Sequence, residues 1–345
     1  RRRHSFPTRR SSDLNKEGTG QFHRAAMTNA HLHALIKRLR ASLDVAGQPA
    51  NRMPAFDAAA SQELYQKLLA PIQSGLQGKT SLIVAAGGLL GQIPFGVLQT
   101  AGKDSWLIQQ AAITHVPSVA AWLSMRSLPH KTAPESMLAW GDPLFNIALA
   151  SAPTANKSEV RKVEITRANT AVDLEKEDPR SAIKYANIPA LPETRDELTA
   201  IAKTLGADAA KDLILGSQAT RDSVLEQNKN GNLAKRRVVA FATHGLMAGD
   251  LPNLTQPALA MAGTKDDAQN VLAPLLTLED VLTLKLNADW VVLSACNTAA
   301  ADGKAEEALS GLARGFFYAG SRSLLVTHWA VDSDSAVTLT TETFK

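Results

Sequence analysis

His244 and Cys296 are the two residues of this sequence whose types and positions indicate chemistry. Each follows an apolar run: VVAFAT (238–243) precedes His244, and WVVLSA (290–295) precedes Cys296. A cysteine in such a place can act as a nucleophile when a nearby histidine takes its proton. The two residues lie 52 positions apart, so the fold has to bring the side chains together.

The surrounding sequence predicts an α/β protein with a largely parallel sheet, because short apolar runs alternate with amphipathic ones. Strands are predicted at 81–87, 111–118, 137–143, 212–216, 237–245, 257–263, 288–298 and 321–329. Helices are predicted at 32–43, 56–72, 118–128, 192–206, 220–228, 276–284, 306–320 and from Ser333 or Asp334 onward. In such sheets, reacting groups gather beyond the carboxyl ends of the strands. If their strands are parallel neighbours, His244 and Cys296 emerge at the same edge.

Both residues also have an ordinary structural interpretation. A lone cysteine is often a buried thiol that packs as a small apolar side chain. A lone histidine is more often a polar residue with satisfied hydrogen bonds than a catalyst. The residue types alone leave both interpretations open for His244 and Cys296.

The net charge of +4 comes from one end of the chain. Residues 1–14 contain five arginines and one aspartate, and the remaining residues are balanced in charge. The run HSFPTRRSSDL (4–14) resembles the translation of a sequencing-adapter oligonucleotide, so residues 1–14 are predicted to be a disordered assembly artefact. The alternative is a basic arm that contacts nucleic acid or acidic lipid. Without these residues, the composition predicts no nucleic-acid partner.

The composition also limits the cofactors and the compartment. The single cysteine excludes an intramolecular disulfide and a cysteine-based zinc site, and it is typical of a reducing cytoplasm. No run of about 18 apolar residues is present, so no membrane span is predicted. The Gly-Lys-Thr at 78–80 does not complete a phosphate loop, because the position of the first glycine is Gln73. No metal, nucleotide or other cofactor is predicted.

Three blocks around the pair resemble the CHAT domain, a caspase-like cysteine peptidase domain often fused to tetratricopeptide repeats. They are THGLMAGD (243–250), VVLSACNTA (291–299) and GLARGFFYAGSRSLLVTHWAVDSDSA (311–336). Upstream blocks such as FDAAASQELYQKLLAPI (56–72) and LPETRDELTAIAKTLGA (191–207) extend the resemblance over residues 31–345. The chain departs from the family pattern at 327–329, where Ser-Leu-Trp is common, and at 85–87, where Pro-Asp-Gly is usual.

The resemblance implies a caspase-like fold, with helices on both faces of a mostly parallel central sheet. It implies that Cys296 is the nucleophile, that His244 is the general acid–base, and that the backbone N–H groups of Gly245 and Cys296 form the oxyanion hole. Caspases separate their histidine and cysteine by about 50 residues, close to the separation here. The implied function is a cysteine endopeptidase that acts on protein substrates. The alternative is a catalytically inactive scaffold for protein interactions.

Three acidic residues near the expected rim of the site are candidates for the substrate pocket. An acidic residue in the first pocket would select a basic P1 residue, as related caspase-like families do, and the candidates are Asp250, Asp332 and Asp334. Each also has an ordinary interpretation, with Asp334 as a helix cap and Asp250 on the surface of a loop.

The predicted organisation has three parts. The artefact covers residues 1–14, a helical lead-in covers 15–55, and the CHAT domain covers 56–345. The domain divides into an N-terminal sub-region (56–150), an exposed charged linker (151–186) and a catalytic sub-region (187–345). Because the last predicted helix is still in progress at Lys345, the domain is expected to be truncated at its C-terminus. The resemblance implies upstream tetratricopeptide repeats or a sensor protein as a partner besides the substrate, in a bacterial cytoplasm.

Overall fold

The computed structural model describes most of the chain. The described residues are 11–14, 20–43, 54–102, 104–127, 131–145, 185, 188, 190–246, 248, 251, 254–263, 274–294, 311–327 and 333–344. Contacts divide the chain into two compact units, the first made of Arg1–Leu43 and Pro54–Trp122 and the second of Asp44–Met53 and Leu123–Lys345. Each unit has its own hydrophobic core.

The first unit combines helices with a short pair of parallel strands. Its elements are β1 (Ser11–Leu14), β2 (Gly20–His23), α1 (Asn29–Ala41), α2 (Ala58–Leu68), α3 (Gln73–Leu76), β3 (Ser81–Val84), α4 (Leu107–Gln110) and β4 (Ala112–His115), with 3-10 turns at Ala70–Ile72, Gly88–Gln92 and Phe95–Val97. β1 pairs with β2 in antiparallel orientation, and β3 pairs with β4 in parallel. The following helix, α5 (Val119–Ser127), contains the boundary between the two units.

Two amphipathic helices supply much of the core of the first unit. The buried residues of the two helices are Leu35, Ile36 and Leu39 of α1 and Ala60, Ser61, Leu64 and Tyr65 of α2. Their spacing of three and four positions places them on one face of each helix. α1 begins after Thr28, whose hydroxyl accepts the N–H of His31 at 3.2 Å and so caps the helix.

The second unit is built on a five-stranded parallel sheet. The strands of the whole second unit are β5 (Glu135–Gly141), β6 (Leu213–Leu215), β7 (Arg236–Ala242), β8 (Gly245–Leu246), β9 (Ala258–Ala260), β10 (Leu275–Thr277), β11 (Trp290–Leu293) and β12 (Leu324–Val326). Its helices are α6 (Glu193–Thr204), α7 (Ala209–Asp212), α8 (Arg221–Lys229), α9 (Leu278–Thr283), α10 (Gly311–Tyr318) and α11 (Ser333–Thr343), with 3-10 turns at Gly216–Gln218 and Leu233–Lys235. The order across the sheet is β12-β11-β7-β5-β6, and all neighbouring pairs are parallel.

The parallel sheet is covered on both faces, which explains why its central strands are continuous apolar runs. Successive side chains of a strand point to opposite faces. One face carries Leu138, Trp140, Val239, Phe241, Val291 and Leu293, together with residues of α8, α9 and α10. The other face carries Met137, Ala139, Val238, Ala240, Ala242 and Val292, together with residues of α6. The two cores hold the central strands in a fixed register.

A second, antiparallel sheet follows directly from the central one. Its order is β10-β9-β8, and β9 pairs with both neighbours. Because β7 ends at Ala242 and β8 begins at Gly245, the chain passes from one sheet to the other over Thr243 and His244. The strand predicted at 237–245 is therefore two strands, interrupted at the candidate histidine.

The predicted fold class is confirmed, since the second unit is an α/β fold of caspase-like type with helices on both faces of a mostly parallel sheet. The contacts place β5 in the second unit, and the predicted boundaries of the sub-regions stay a prediction. Residues 11–14 form β1 although disorder was expected there, and residues 1–10 lie outside the described residues. Most of the predicted linker also lies outside them, but Tyr185 near its end is buried.

Candidate active site

β7 and β11 run side by side through the middle of the parallel sheet. Their register pairs Phe241 with Leu293, and the N–H of Ser294 donates to the carbonyl oxygen of Phe241 at 3.0 Å. His244 follows Phe241 by three positions, and Cys296 follows Leu293 by three positions. The sequence predicted a shared site if the strands before His244 and Cys296 were parallel neighbours. β7 and β11 are such neighbours.

The main chain of His244 is fixed by the antiparallel sheet. The N–H of Ala260 donates to the carbonyl oxygen of His244 at 2.9 Å, and the hydroxyl of Thr243 donates to the carbonyl oxygen of Ala260. His244 is fully buried, with 0% of its surface exposed. The passage between the two sheets therefore places the imidazole in the interior at the carboxyl end of β7.

Gly245 has a backbone orientation that follows from the ladder of β8 and β9. Gly245 lies opposite Leu259, and His244 accepts a hydrogen bond from Ala260 one position along. In an antiparallel ladder the bonded and non-bonded pairs alternate, so the N–H of Gly245 points away from β9. Among the strands that the structure describes, β9 is the only neighbour of β8. The N–H of Gly245 thus faces the edge of this sheet.

The chain leaves β5 through Asp142–Phe145, which we name the exit segment. Asp142 has a φ of 47°, in the left-handed region that aspartate tolerates better than most residues. Its N–H donates to Oγ1 of Thr194 at 2.8 Å, and its Oδ2 accepts from Nε and Nη2 of Arg195 at 3.0 and 2.7 Å. The start of the exit segment is therefore anchored on the first turn of α6.

The rest of the exit segment is held between the ends of two other strands. The N–H of Leu144 donates to the carbonyl oxygen of Gly216 at 3.4 Å, and the carbonyl oxygen of Leu144 accepts from the N–H of Gly263 at 3.0 Å. Gly216 follows β6 and Gly263 lies beyond β9. These contacts place Phe145 against His244, with the two ring centroids 5.6 Å apart and the rings tilted by 48°.

Tyr185 also packs against Phe145. The two rings meet edge to face with centroids 5.9 Å apart, and the Tyr185 hydroxyl donates to the carbonyl oxygen of Met261 at 2.5 Å. Phe145 and Tyr185 belong to a buried cluster with Leu246, Leu251, Leu254, Ala258, Ala260 and Leu275. Three rings in sequence, Tyr185, Phe145 and His244, therefore connect this cluster to the candidate histidine.

The structure describes some of the predicted site residues and not others. His244 and Gly245 are described, and they lie at the carboxyl end of β7. Cys296, Asp250 and Asp332 lie outside the described residues. Asp334 is the second residue of α11, which begins at Ser333, and its side chain is not described.

Sequence reasoning missed Asp142, Phe145, Tyr185 and Arg195. The strand end at Asp142 is visible in AWGDP (139–143), and a polar residue directly after a buried strand is a signal for the edge where sites form. The sequence around Phe145 and around Tyr185 shows no apolar repeat that would mark either residue. The contact of Phe145 with His244 and that of Tyr185 with Phe145 join three chain segments that are distant in sequence.

No group of three or more histidine, cysteine, aspartate or glutamate side chains within the described part of the chain could hold a metal ion. Over the same residues, none of the helices has the length and apolar character needed to cross a membrane.

A comparison with protein families identifies the class of protein. The family model of the CHAT domain matches residues 58–345, which includes the whole parallel sheet and the candidate site. This chain belongs to the CHAT domain family, a caspase-like family related to cysteine peptidases. A search of curated proteins finds no match.

Proposed function

We propose that this chain is a cysteine endopeptidase that cleaves a protein substrate with Cys296 as nucleophile and His244 as general acid–base. The observation that supports the proposal is the parallel register of β7 and β11, which makes the two residues equivalent positions beyond neighbouring strands. Membership of the CHAT family supports it independently.

In the first half of the reaction, His244 takes the proton of the Cys296 thiol, and the thiolate sulfur bonds to the carbonyl carbon of the substrate. The carbonyl π electrons move onto oxygen, which becomes an oxyanion. The N–H groups of Gly245 and Cys296 donate to this oxyanion, and one such donor typically lowers the barrier by about 3 kcal/mol. The edge orientation of the Gly245 N–H supports its role, and a glycine there leaves room for the substrate.

In the second half, the imidazolium gives its proton to the leaving amine as the carbon–nitrogen bond breaks, which leaves a thioester on Cys296. His244 then takes a proton from water, and the resulting hydroxide attacks the thioester. The acid product leaves, and the thiolate recovers its proton. One buried histidine thus serves as acid and base in turn.

The most direct chemical test is the alkylation rate of the thiol. Cys296 is the only cysteine, so iodoacetamide labelling followed by intact mass measures a single site. We expect fast labelling of the wild-type protein near neutral pH, and labelling at least about tenfold slower in His244→Ala, because the thiolate loses its partner.

The matched control is His33→Ala, which removes an exposed histidine of α1. This variant should label at the wild-type rate, and Cys296→Ala should not label at all. Equal rates in His244→Ala and wild type would remove the dyad, and the chain would then be better described as an inactive scaffold.

Hydrolysis is tested on a mixture of unfolded proteins, with the new N-termini identified by mass spectrometry. Cys296→Ser should reduce cleavage by roughly 10³-fold or more, because members of a catalytic pair act as a unit. Cleavage that persists in Cys296→Ser at the wild-type rate would contradict the proposal. The same N-termini report the P1 residue.

The proposal also covers the substrate specificity, the regulation and the cellular location of the enzyme. Asp250, Asp332 and Asp334 are proposed to favour a basic P1 residue, and the cleaved sites test this preference. An upstream sensor or repeat region is proposed to regulate the enzyme, in a cytoplasmic setting. Cleavage at sites without a basic P1 residue would exclude the specificity proposal alone.

A further inference from the structure

We propose that Phe145, backed by Tyr185, is a positioning residue that fixes the imidazole of His244 and keeps water from its face. The proposal rests on the proposed function, because an oriented imidazole matters only where His244 exchanges protons. It extends that function by assigning a role to Phe145 and Tyr185, to which the proposed function gives none.

Burial and contact geometry carry the first step. Phe145 is 3% exposed and His244 is 0% exposed, and their ring centroids lie 5.6 Å apart. A side chain packed at interior density has few alternative rotamers. The ring of Phe145 therefore restricts the plane that the imidazole can adopt.

The second step is the independent anchoring of Phe145. The exit segment is bonded to α6 through Asp142 and to the loops after β6 and β9 through Leu144. The exit segment therefore has three separate supports, at α6 and in the segments after β6 and β9. They fix the ring of Phe145 in relation to the same antiparallel sheet that holds the main chain of His244.

The third step is the support behind Phe145. Tyr185 meets its ring edge to face, and the Tyr185 hydroxyl donates to the carbonyl oxygen of Met261 beyond the end of β9. β9 also supplies Ala260, whose N–H bonds to the carbonyl oxygen of His244. The end of β9 therefore helps to hold both parts of His244. It holds the main chain through Ala260 and the side chain through Met261, Tyr185 and Phe145.

The reactive consequence concerns proton transfer. A general base works when its nitrogen points at the proton it takes, and small misplacements can reduce rates by about 10²-fold. Water at the face of the imidazole would also stabilise its charged form, because burial disfavours charge. Phe145 opposes both the rotation and the hydration of the ring.

The first experiment measures iodoacetamide labelling of Cys296 in Phe145→Ala, Phe145→Leu and Tyr185→Phe. We expect labelling about tenfold slower in Phe145→Ala. Phe145→Leu should recover more than half of the lost rate, because leucine refills the space beside the imidazole. Tyr185→Phe keeps the ring and removes the bond to Met261, so it should slow labelling less than Phe145→Ala does.

The matched control is Leu254→Ala, a truncation in the same buried cluster. It reports the loss of core packing without removing a ring in contact with His244. If Phe145→Ala slows labelling no more than Leu254→Ala does, the positioning role is overturned. If Phe145→Leu recovers none of the lost rate, the claim that Phe145 shields the face of the imidazole from water is also overturned.

The second experiment measures the pH midpoint of the His244 ring signals, which a loss of core packing alone would not change. In a Cys296→Ala background, the ring signals of His244 are titrated by NMR on histidine-labelled protein, with His244→Ala to assign them. Phe145→Ala should raise the pH midpoint of these signals, because the imidazolium gains water. An unchanged midpoint, or an equal shift in Leu254→Ala, would overturn the proposal.

The two proposals fail in different ways. If His244→Ala labels at the wild-type rate, the proposed function fails whatever Phe145→Ala does. If His244→Ala is slow and Phe145→Ala behaves as Leu254→Ala does, only the positioning role fails.

Discussion

The two units of the chain differ in how completely they cover their parallel strands. In the first unit, β3 and β4 form a pair in which exposed and half-buried residues alternate, and Ile83 is 46% exposed. In the second unit, the last five residues of β7 are all buried. Parallel sheets are normally buried on both faces. The second unit therefore has the rigidity that a site at strand ends requires.

The largest effect should come from the core that covers β7. Phe316 of α10 is 0% exposed, and its ring centroid lies 5.6 Å from that of Phe241. We expect Phe316→Ala to lower the free energy of unfolding by about 3–5 kcal/mol, because a large cavity remains. Urea unfolding measures the loss, and hydrogen exchange of residues 236–242 locates it.

The control for this prediction is Ile83→Ala in the first unit. Because Ile83 is half exposed, its truncation should cost no more than about 0.5 kcal/mol. Comparable losses in the two variants would contradict the difference between the units.

A smaller effect is expected from two similar ion pairs, one in each unit. Nε and Nη2 of Arg221 donate to Asp280 at 2.9 and 2.6 Å, and the same atoms of Arg38 donate to Asp57 at 2.9 and 3.0 Å. Burial acts to raise the pKa of Asp280, but the bonds from Arg221 and from Thr277 outweigh it and hold the pKa below its ordinary value. The pair in the second unit is also the more buried one, since 34% of the Arg221 side chain and 14% of the Asp280 side chain are exposed, against 55% for Arg38 and 22% for Asp57.

We expect Arg221→Ala to lower the free energy of unfolding by about 1–2 kcal/mol, because a partly buried carboxylate loses its partner. Arg38→Ala should cost about 0–1 kcal/mol, since 55% of the Arg38 side chain is exposed. Urea unfolding of both variants checks the order. The part of the stability that Asp280 supplies is present above its ordinary pKa of 3.8 and is lost as the pH falls through its lower folded value. A larger loss in Arg38→Ala would contradict the comparison.

The smallest effect is a pH dependence confined to the first unit. Burial lowers the pKa of His115 on β4 from its ordinary value of 6.5. Because the unfolded chain then binds the proton more readily, the stabilising contribution is complete above pH 6.5 and is lost as the pH falls through the folded value. Protection of residues 112–115 against hydrogen exchange, corrected for intrinsic rates, should therefore fall between neutral and mildly acidic pH.

The variant His115→Leu separates this histidine from other titrating groups. It should remove the pH dependence of protection over residues 112–115 while keeping the site apolar. The same pH dependence in His115→Leu and wild type would assign the effect elsewhere.

The sequence predicted well those features that depend on local pattern. The continuous apolar runs of β5, β7 and β11 indicated buried parallel strands, and the structure confirms them. Thr220 was expected to begin a helix, and its hydroxyl accepts the N–H of Ser223 at 3.1 Å. Such signals are local because a cap or a strand face involves residues a few positions apart.

The sequence did not predict features that depend on contacts between distant segments. The strand expected at 237–245 breaks at Thr243 and His244, because β8 leaves the parallel sheet to pair with β9. The short strand β10 was missed, since three residues carry little periodic pattern. Phe145 reaches His244, and Tyr185 reaches Phe145, only through tertiary packing, which no spacing in the sequence encodes.

The most direct test of the central claim is an experimental structure that measures the distance between the imidazole of His244 and Sγ of Cys296. Because β7 and β11 are parallel neighbours in register, we expect the nearer ring nitrogen within about 4 Å of the sulfur, which is hydrogen-bond reach with some looseness in the free enzyme. A separation above about 7 Å with the side chains pointing apart would contradict the account.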